Sequence, residues 1–425
     1  DKIMAITITN PNTQVRLPSQ YSMTSVILST TLHKTELDIS QLVVDINIFE
    51  SVLGDVLSGN ITIRDTENYI STFPICGYET VSLQFSARTE DKRDSFSVSF
   101  RVYSITNVIE ITGGGKTYRL ELISPEFLTT SEMLVSRAFQ SQTVSQIVNT
   151  LWKDTIQSEK PLKIEETSGL LDVVIPSWKP LNTLKWLCSR AMSVDREGAN
   201  YFFYETLDGF SFVSLETLVA DIDDTEIITY YYGTRDMPSR TGGPTPTAAY
   251  TVTDIQVDSS FDLIQNLSLG MYSNTMIEHD IVKREYRINK FDYEKSFDKY
   301  EHLEDWSFLH GDDDTFKEVY DTRKFLVSSS RDSSKKERTL QARVSQLQQI
   351  NTYKITLTLP GNIATRAGDV VYLYYPAKSS DGVEDHLMSG HYLVLSVKNN
   401  MSMTSHQTTI EIVKDSYFKE IPIRG

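Results

Sequence analysis

Residues 42–64, LVVDINIFESVLGDVLSGNITIR, constrain the fold more than any other stretch of the chain. Val44, Ile46 and Ile48 alternate with Asp45 and Asn47, and residues 60–64 (NITIR) repeat the alternation on the return. A period of two marks a strand with one buried and one solvated face, so the stretch reads as strand, tight connection, strand. The connection is itself apolar, with Val52, Leu53, Val56 and Leu57 at helical spacing. A segment that short cannot build a core of its own. It must pack on the rest of its sheet or on another subunit, which makes Val52, Leu53, Val56 and Leu57 the candidate interface residues.

The remaining 400 or so residues form more than one unit, because a chain of 425 exceeds an ordinary single core and two to four domains are expected. No apolar run approaches the roughly 20 residues that cross a bilayer, and residues 1–4 do not open a basic-then-apolar leader, so no membrane insertion is expected. Cys76 and Cys188 stand far apart and read as small core residues, in keeping with assembly in a reducing cytoplasm. The net charge of −16 argues against a protein that grips nucleic acid, since that requires Lys and Arg to neutralise phosphates. It is compatible with one that lets DNA pass.

Residues 1–124 carry seven candidate strands, at 6–9, 14–17, 42–48, 60–64, 80–85, 96–108 and 118–123, punctuated as in a barrel or sandwich. At Ser124-Pro125-Glu126 the period changes, with Ser as cap and Pro at the first helical position. Val144, Ile147, Val148, Leu151 and Trp152 predict an amphipathic helix over 141–156, and a second follows at 181–192. A hairpin over 200–214 turns through Asp208-Gly209. Residues 238–246 (PSRTGGPTP) are a loop, 261–270 are mixed, and 271–325 are polar and weakly periodic, an insertion with extended segments. Strands return over 340–417. The two outer regions are therefore β modules around an α+β unit, a loose echo of one another with the second copy interrupted.

Motifs of chemistry are weak. Gly113-Gly114-Gly115-Lys116-Thr117 suggests a phosphate loop, but Glu110 occupies the position five before Gly115 and two strands flank the segment, so it is a hairpin turn. His386 and His391 lack further donors at metal spacing and read as surface residues of a loop. Asp312-Asp313-Asp314 would need a glutamate where Arg323 stands to form a calcium loop. No Gly-x-Ser-x-Gly elbow or activated cysteine is present, so no catalytic, metal or cofactor residue is assigned and no enzyme is expected. Tyr230-Tyr231-Tyr232 with Tyr372, Tyr374 and Tyr375 suit strand surfaces or a subunit contact better than a sugar platform.

Taken in order, the segments 44–65 (VDINIFESVLGDVLSGNITIRD), 123–139 (ISPEFLTTSEMLVSRAF), 175–191 (IPSWKPLNTLKWLCSRA), 200–215, 269–286, 359–376 and 387–399 resemble the baseplate hub protein of contractile-tailed bacteriophages. The resemblance spans nearly the whole chain and is carried by order and spacing. It implies a mainly β fold with α+β: a first tube-like β-barrel (1–124), an α+β connecting domain (125–221), a second tube-like β-barrel (222–285 with 340–415), an insertion (286–339) and a tail (416–425). It further implies a homotrimer whose six barrels form a pseudo-sixfold ring between a hexameric tail tube protein and a trimeric central spike protein. Baseplate wedge and tape measure proteins are further expected partners, in a virion assembled in the host cytoplasm. DNA would pass through the lumen without specific binding, and an acidic lumen would repel the roughly one charge per 1.7 Å of duplex. Competing readings are a tail-associated receptor- or carbohydrate-binding protein, a tail hydrolase, or the hub of a contractile injection system.

Overall fold

The computed structural model of the chain describes residues 21–30, 35–66, 69, 73, 75–87, 95–111, 114–196, 198–220, 227–233, 250–259, 262–281, 283–307, 321–329, 333–350, 352–377, 384–402 and 405–417. The strands expected at 6–9 and 14–17, the loop at 238–246 and the acidic run at 312–314 lie outside the described residues.

The first seven strands are β1 (Tyr21–Thr30), β2 (Thr35–Asp38), β3 (Val43–Ser51), β4 (Ser58–Asp65), β5 (Glu79–Ala87), β6 (Ser95–Glu110) and β7 (Lys116–Ile123). They lie in the order β2-β1-β5-β6-β7-β4-β3, every neighbouring pair antiparallel. Alternate residues, among them Val26, Ile46, Ile48, Ile61, Leu83, Phe100, Leu120 and Leu122, meet in one core. Burying each such side chain contributes about 1.5–3 kcal/mol. Val44 departs from the expected alternation. A bulge between Val43 and Asp45 hands the core position to Val43 and leaves Val44 exposed. Between β6 and β7, Gly114 and Gly115 both take positive φ, as a hairpin turn requires; a side chain on Gly115 would also stand 2.8 Å from the Asp65 carbonyl oxygen.

The middle unit holds β8 (Val135–Gln142), β9 (Leu162–Ile164), β10 (Leu171–Trp178), β11 (Tyr201–Thr206) and β12 (Gly209–Ser214). β8 pairs β10 in a ribbon, and β12 lies between β11 and β9. The expected helix over 141–156 begins later, because Ser141 and Gln142 remain in β8. Thr143 caps the helix Val144–Thr150 in a reciprocal box with Gln146, and a π-helical turn, Leu151–Ile156, completes it. Its predicted stripe is buried, and Trp152 packs on Phe210 with ring centroids 4.6 Å apart.

The remaining strands are β13 (Ile228–Tyr232), β14 (Thr251–Val252), β15 (Asp254–Ser259), β16 (Ser273–Asp280), β17 (Glu285–Asp292), β18 (Trp306–Ser307), β19 (Asp321–Ser329), β20 (Tyr353–Pro360), β21 (Val370–Tyr374), β22 (Gly390–Ser402), β23 (His406–Lys414) and β24 (Ser416–Tyr417). Here β15-β20-β23-β22-β21 repeats the sequence order and antiparallel pairing of β3-β4-β7-β6-β5. The echo read from the sequence is thus a repeated five-strand set, each copy with its own core. The two sets are not separate sheets: β22 pairs antiparallel with β3, joining all of these strands into one 14-stranded sheet.

The expected boundary at residue 285 is displaced. β16, placed with the second barrel from the sequence, instead pairs with β17 and β19 in a small sheet of its own, followed by the helix Ser333–Ile350. Residues 263–269, mixed in pattern, form a helix capped by Asp262. β17 is exposed along most of its length and so has no buried face to record in its sequence, which is why this region read as extended.

Candidate assembly interface

The connection that opened the sequence reading is a turn, not a helix, and it divides its apolar residues among several cores. Val52 is buried with Leu393, Leu395 and Val413, and Leu57 is buried in the first core. Val56 is half-buried against the middle unit, while Leu53 is 58% exposed. Of the four candidate interface residues, three are thus engaged within the chain and Leu53 alone stands out to solvent. Helical spacing assigns one face to such a run; a turn assigns several.

The seam beside it is held by a ladder of amides. Asn60, Asn47 and Asn400 lie directly opposite one another on β4, β3 and β22. Asn47 donates to Asn60 (2.9 Å) and to Asp45 (2.9 Å), and Asn400 donates to Asn47 (2.8 Å). A one-residue slip would turn every side chain over and break this ladder, so it specifies register. The ladder sits on a mostly polar sheet face that crosses the seam through Glu121, Thr62, Lys398, Thr409, Glu411 and Thr356, interrupted by Phe49, whose ring centre lies 5.8 Å from the Lys398 Nζ. Its charges are mixed, Asp45, Glu121, Glu411 and Asp258 standing with Arg119, Lys398 and Lys354, and Lys354 pairs Glu411 at 3.0 Å. The acidic excess of the chain is not concentrated on this face.

Three buried ionic joints tie the units together. Glu50 falls in phase with Ile46 and Ile48 on the apolar side of β3 and is buried. It accepts from the backbone N–H of Leu207 in the β11–β12 turn (3.3 Å) and of Ala367 before β21 (3.2 Å). Burial pushes its pKa up to about 7, against the attraction of Arg366 and these N–H groups. At the second joint, Glu205 accepts from Leu57 N–H (2.9 Å) and pairs Lys160 (2.6 Å), which also reaches Glu126 (2.8 Å) and Ser124 (2.9 Å). Burial raises the Glu205 carboxyl in spite of Lys160. At Glu126 burial also pushes upward, but hydrogen bonds from Lys160, Ser124 and Ser158 outweigh it and hold the group below its ordinary value.

The third joint clasps the excursion between β15 and β20 to the end of β23. The His302 ring donates through Nδ1 to Asp415 (2.8 Å) and through Nε2 to the Phe297 carbonyl (3.0 Å). A carbonyl and a carboxylate can only accept, so both contacts are hydrogen bonds only when the ring is protonated, and the arrangement favours that form. Burial opposes that charge, but Asp415 outweighs it and raises the pKa of His302. Glu304 accepts from His391, both at N–H (2.7 Å) and Nδ1 (2.8 Å). Beside it Lys414 is buried among the rings of Tyr353, Tyr392 and Tyr417 at 4.8–5.2 Å and donates to the Leu387 carbonyl. Burial pushes its pKa down to about 7.

These joints correct two readings. His391 is buried and paired to Glu304, and His386 is half-buried, so neither is a plain surface residue; the partner of His391 lies 87 positions away, where no local pattern can show it. Cys188 is buried, but Cys76 is exposed. The sequence did hold a signal for the missed groups. Glu50 on β3 and Lys414 on β23 each sit in the apolar phase of their strand, where a charge implies a buried partner. The tyrosines lie across a strand pair: Tyr231 is opposite Tyr374, the Tyr232 and Tyr375 rings stack 5.0 Å apart, and Tyr230 and Tyr372 are fully buried. Among the described residues no group of three or more His, Cys, Asp or Glu is placed to hold a metal, and no helix is long and apolar enough to cross a membrane.

No family model matches the chain. In sequence it is similar to the "Probable baseplate hub protein gp334" of Vibrio phage KVP40, 23% identical over 385 residues that cover 87% of this chain and 89% of that protein. In fold it is similar to the 43 kDa tail protein of prophage MuSo2 from Shewanella oneidensis, with a TM-score of 0.55, 10% identity and coverage of 92% of this chain and 98% of that one. It is likewise similar to the tail protein from Neisseria meningitidis MC58, with a TM-score of 0.55, 12% identity and coverage of 93% and 96%. The resemblance to phage baseplate hub proteins therefore extends along most of the sequence, and the mainly β fold is one found in phage tail proteins.

Proposed function

We propose that the chain is a structural hub subunit of a contractile phage tail, acting as a homotrimer with no reaction of its own. Three copies form a pseudo-sixfold ring in the virion baseplate that joins a hexameric tail tube to a trimeric central spike and lets DNA pass. What supports the reading is the repeated five-strand set, which gives each chain two like units in one sheet, together with the similarity to a hub protein along most of the sequence. Each five-strand set is the core of one tube-like barrel, the middle unit connects them, and the small sheet over 273–329 projects as the excursion. Exposed Leu53 at the β3–β4 turn contacts a tube or wedge partner. The polar face across the seam lines the passage; its short amides and hydroxyls with mixed charge give DNA little to grip, and electrostatic repulsion is a secondary effect. Native mass measurement with negative-stain imaging tests the ring: a trimer with a central hole wide enough for duplex DNA is expected, and a monomer at all concentrations, or a solid particle, overturns it.

A further inference from the structure

The repeat extends to single residues, and its two copies differ at one edge. In β6–β7 and in β22–β23 the pairing slips at the same place, between Val102 and Ser104 and between Val394 and Ser396. Beyond the slip, Ser104 lies opposite Glu121 as Ser396 lies opposite Glu411, and Thr106 opposite Arg119 as Lys398 opposite Thr409. Likewise Ile46, Asn47 and Ile48 on β3 take the positions of Ile255, Gln256 and Val257 on β15, judged by their partners on β4 and β20. Within the chain, the outer edge of β3 is covered by β22 over seven residue pairs, Asp45 to Ser51 with Ser402 to Ser396. Its counterpart β15 pairs only with β20, and the counterpart of that β22 segment, β6 beyond Val102, pairs only with β7 among the described residues. The exposures follow. Ile48 is 0% exposed and Val257 is 47%; on β6, Tyr103, Val108 and Ile109 are 52%, 54% and 62% exposed.

We infer that β15 of one chain pairs antiparallel with residues 103–110 of β6 in a second copy, repeating between chains the seam that β3 and β22 make within one. The occupant of each open edge is then the other open edge. Such a contact is head-to-tail and closes into a ring when the rotation permits. By the equivalence, Ser259 lies opposite Thr106, as Phe49 lies opposite Lys398, with Asp258 as the extra residue of a bulge in β15, and Val257 loses its exposure. The bulge at Asn107, whose φ is +51°, shifts the pairing by one residue beyond Thr106. Edge strands left open recruit other chains, and neither β15 nor residues 103–110 carry the Pro or Lys that commonly block this. The inference deepens the ring reading and rests on it for the number three.

The test is a double variant, Thr106→Cys with Ser259→Cys, in a Cys76→Ser background, oxidised at concentrations where the protein associates. Residues opposed across an antiparallel pair have Cα atoms about 4.5–5.5 Å apart, within the range a disulfide spans. Covalent dimers and trimers that stop at the trimer are expected, with neither single variant crosslinking. Crosslinking by Ser259→Cys alone overturns the joint in favour of an edge paired with itself. A trimer by native mass with no crosslink overturns the joint and leaves the ring; crosslinks that close at another number support the joint and overturn the trimer. As a second readout, Val257→Lys, at an exposed position that leaves the fold intact, weakens association at least about tenfold, equivalent to about 1.4 kcal/mol. Unchanged association of that variant overturns the joint.

Discussion

The two five-strand sets share an order of pairing but differ in what joins their first two strands. In the first, β3 passes to β4 through the six residues 52–57; in the second, β15 passes to β20 through the 93 residues 260–352. The short turn delivers its side chains straight into neighbouring cores, Val52 into one and Leu57 into another. The long excursion has its own sheet and its own clasp, His302–Asp415 and Glu304–His391, which fastens it to the end of β23 and to β22. A sheet edge tolerates a large insertion where the connection is already a surface loop, since lengthening a loop adds little entropic penalty.

The comparison can be broken most severely in the cores. Leu120 and Ile410 are equivalent positions, each 0% exposed, so Leu120→Ala and Ile410→Ala should each cost about 2–5 kcal/mol in chemical denaturation. A cost in one set but not the other would mean the copies are not energetically alike. The next largest effect is at Glu50, whose pKa rises from 4.5 to about 7 on burial. A raised carboxyl favours folding at low pH and withdraws that support as pH climbs through 4.5 to 7, on the order of 3 kcal/mol in all. Stability of Glu50→Gln should therefore be flatter than wild type over that window; parallel curves would remove Glu50 from the account. At the seam, Asn47→Ala should cost about 1–3 kcal/mol by leaving Asn60 and Asn400 short of partners, measured as a shift in unfolding midpoint. Smallest of all, Val257→Ala should change the stability of the isolated chain by no more than about 0.5 kcal/mol, where Ile48→Ala, its buried counterpart, costs several-fold more.

Much of the fold was legible, for reasons particular residues make plain. Strands such as β4, β7 and β20 alternate strictly because one side meets a core and the other water, and local periodicity records that directly. The stripe from Val144 to Trp152 was legible for the same reason. The excursion was not, because β16 is paired on one side by β17 nearby and on the other by β19 some fifty residues on, and neither partner leaves a mark in the intervening sequence. The joints were half legible. Glu50 and Lys414 interrupt an apolar phase and so announce a buried partner, but only the folded chain names Leu207, Ala367 or the three tyrosines. The repeat was visible as an echo and no more, since pairs such as Asn47 and Gln256 share a place in the pairing while differing in residue.

An outgrowth carried by only one of two matched units has a bearing on symmetry. In the proposed ring of three such chains, walls would recur six times and projections three times, set by nothing more than where one loop was lengthened. Objects of either rotational order could then seat on the same body, each reading the periodicity it shares.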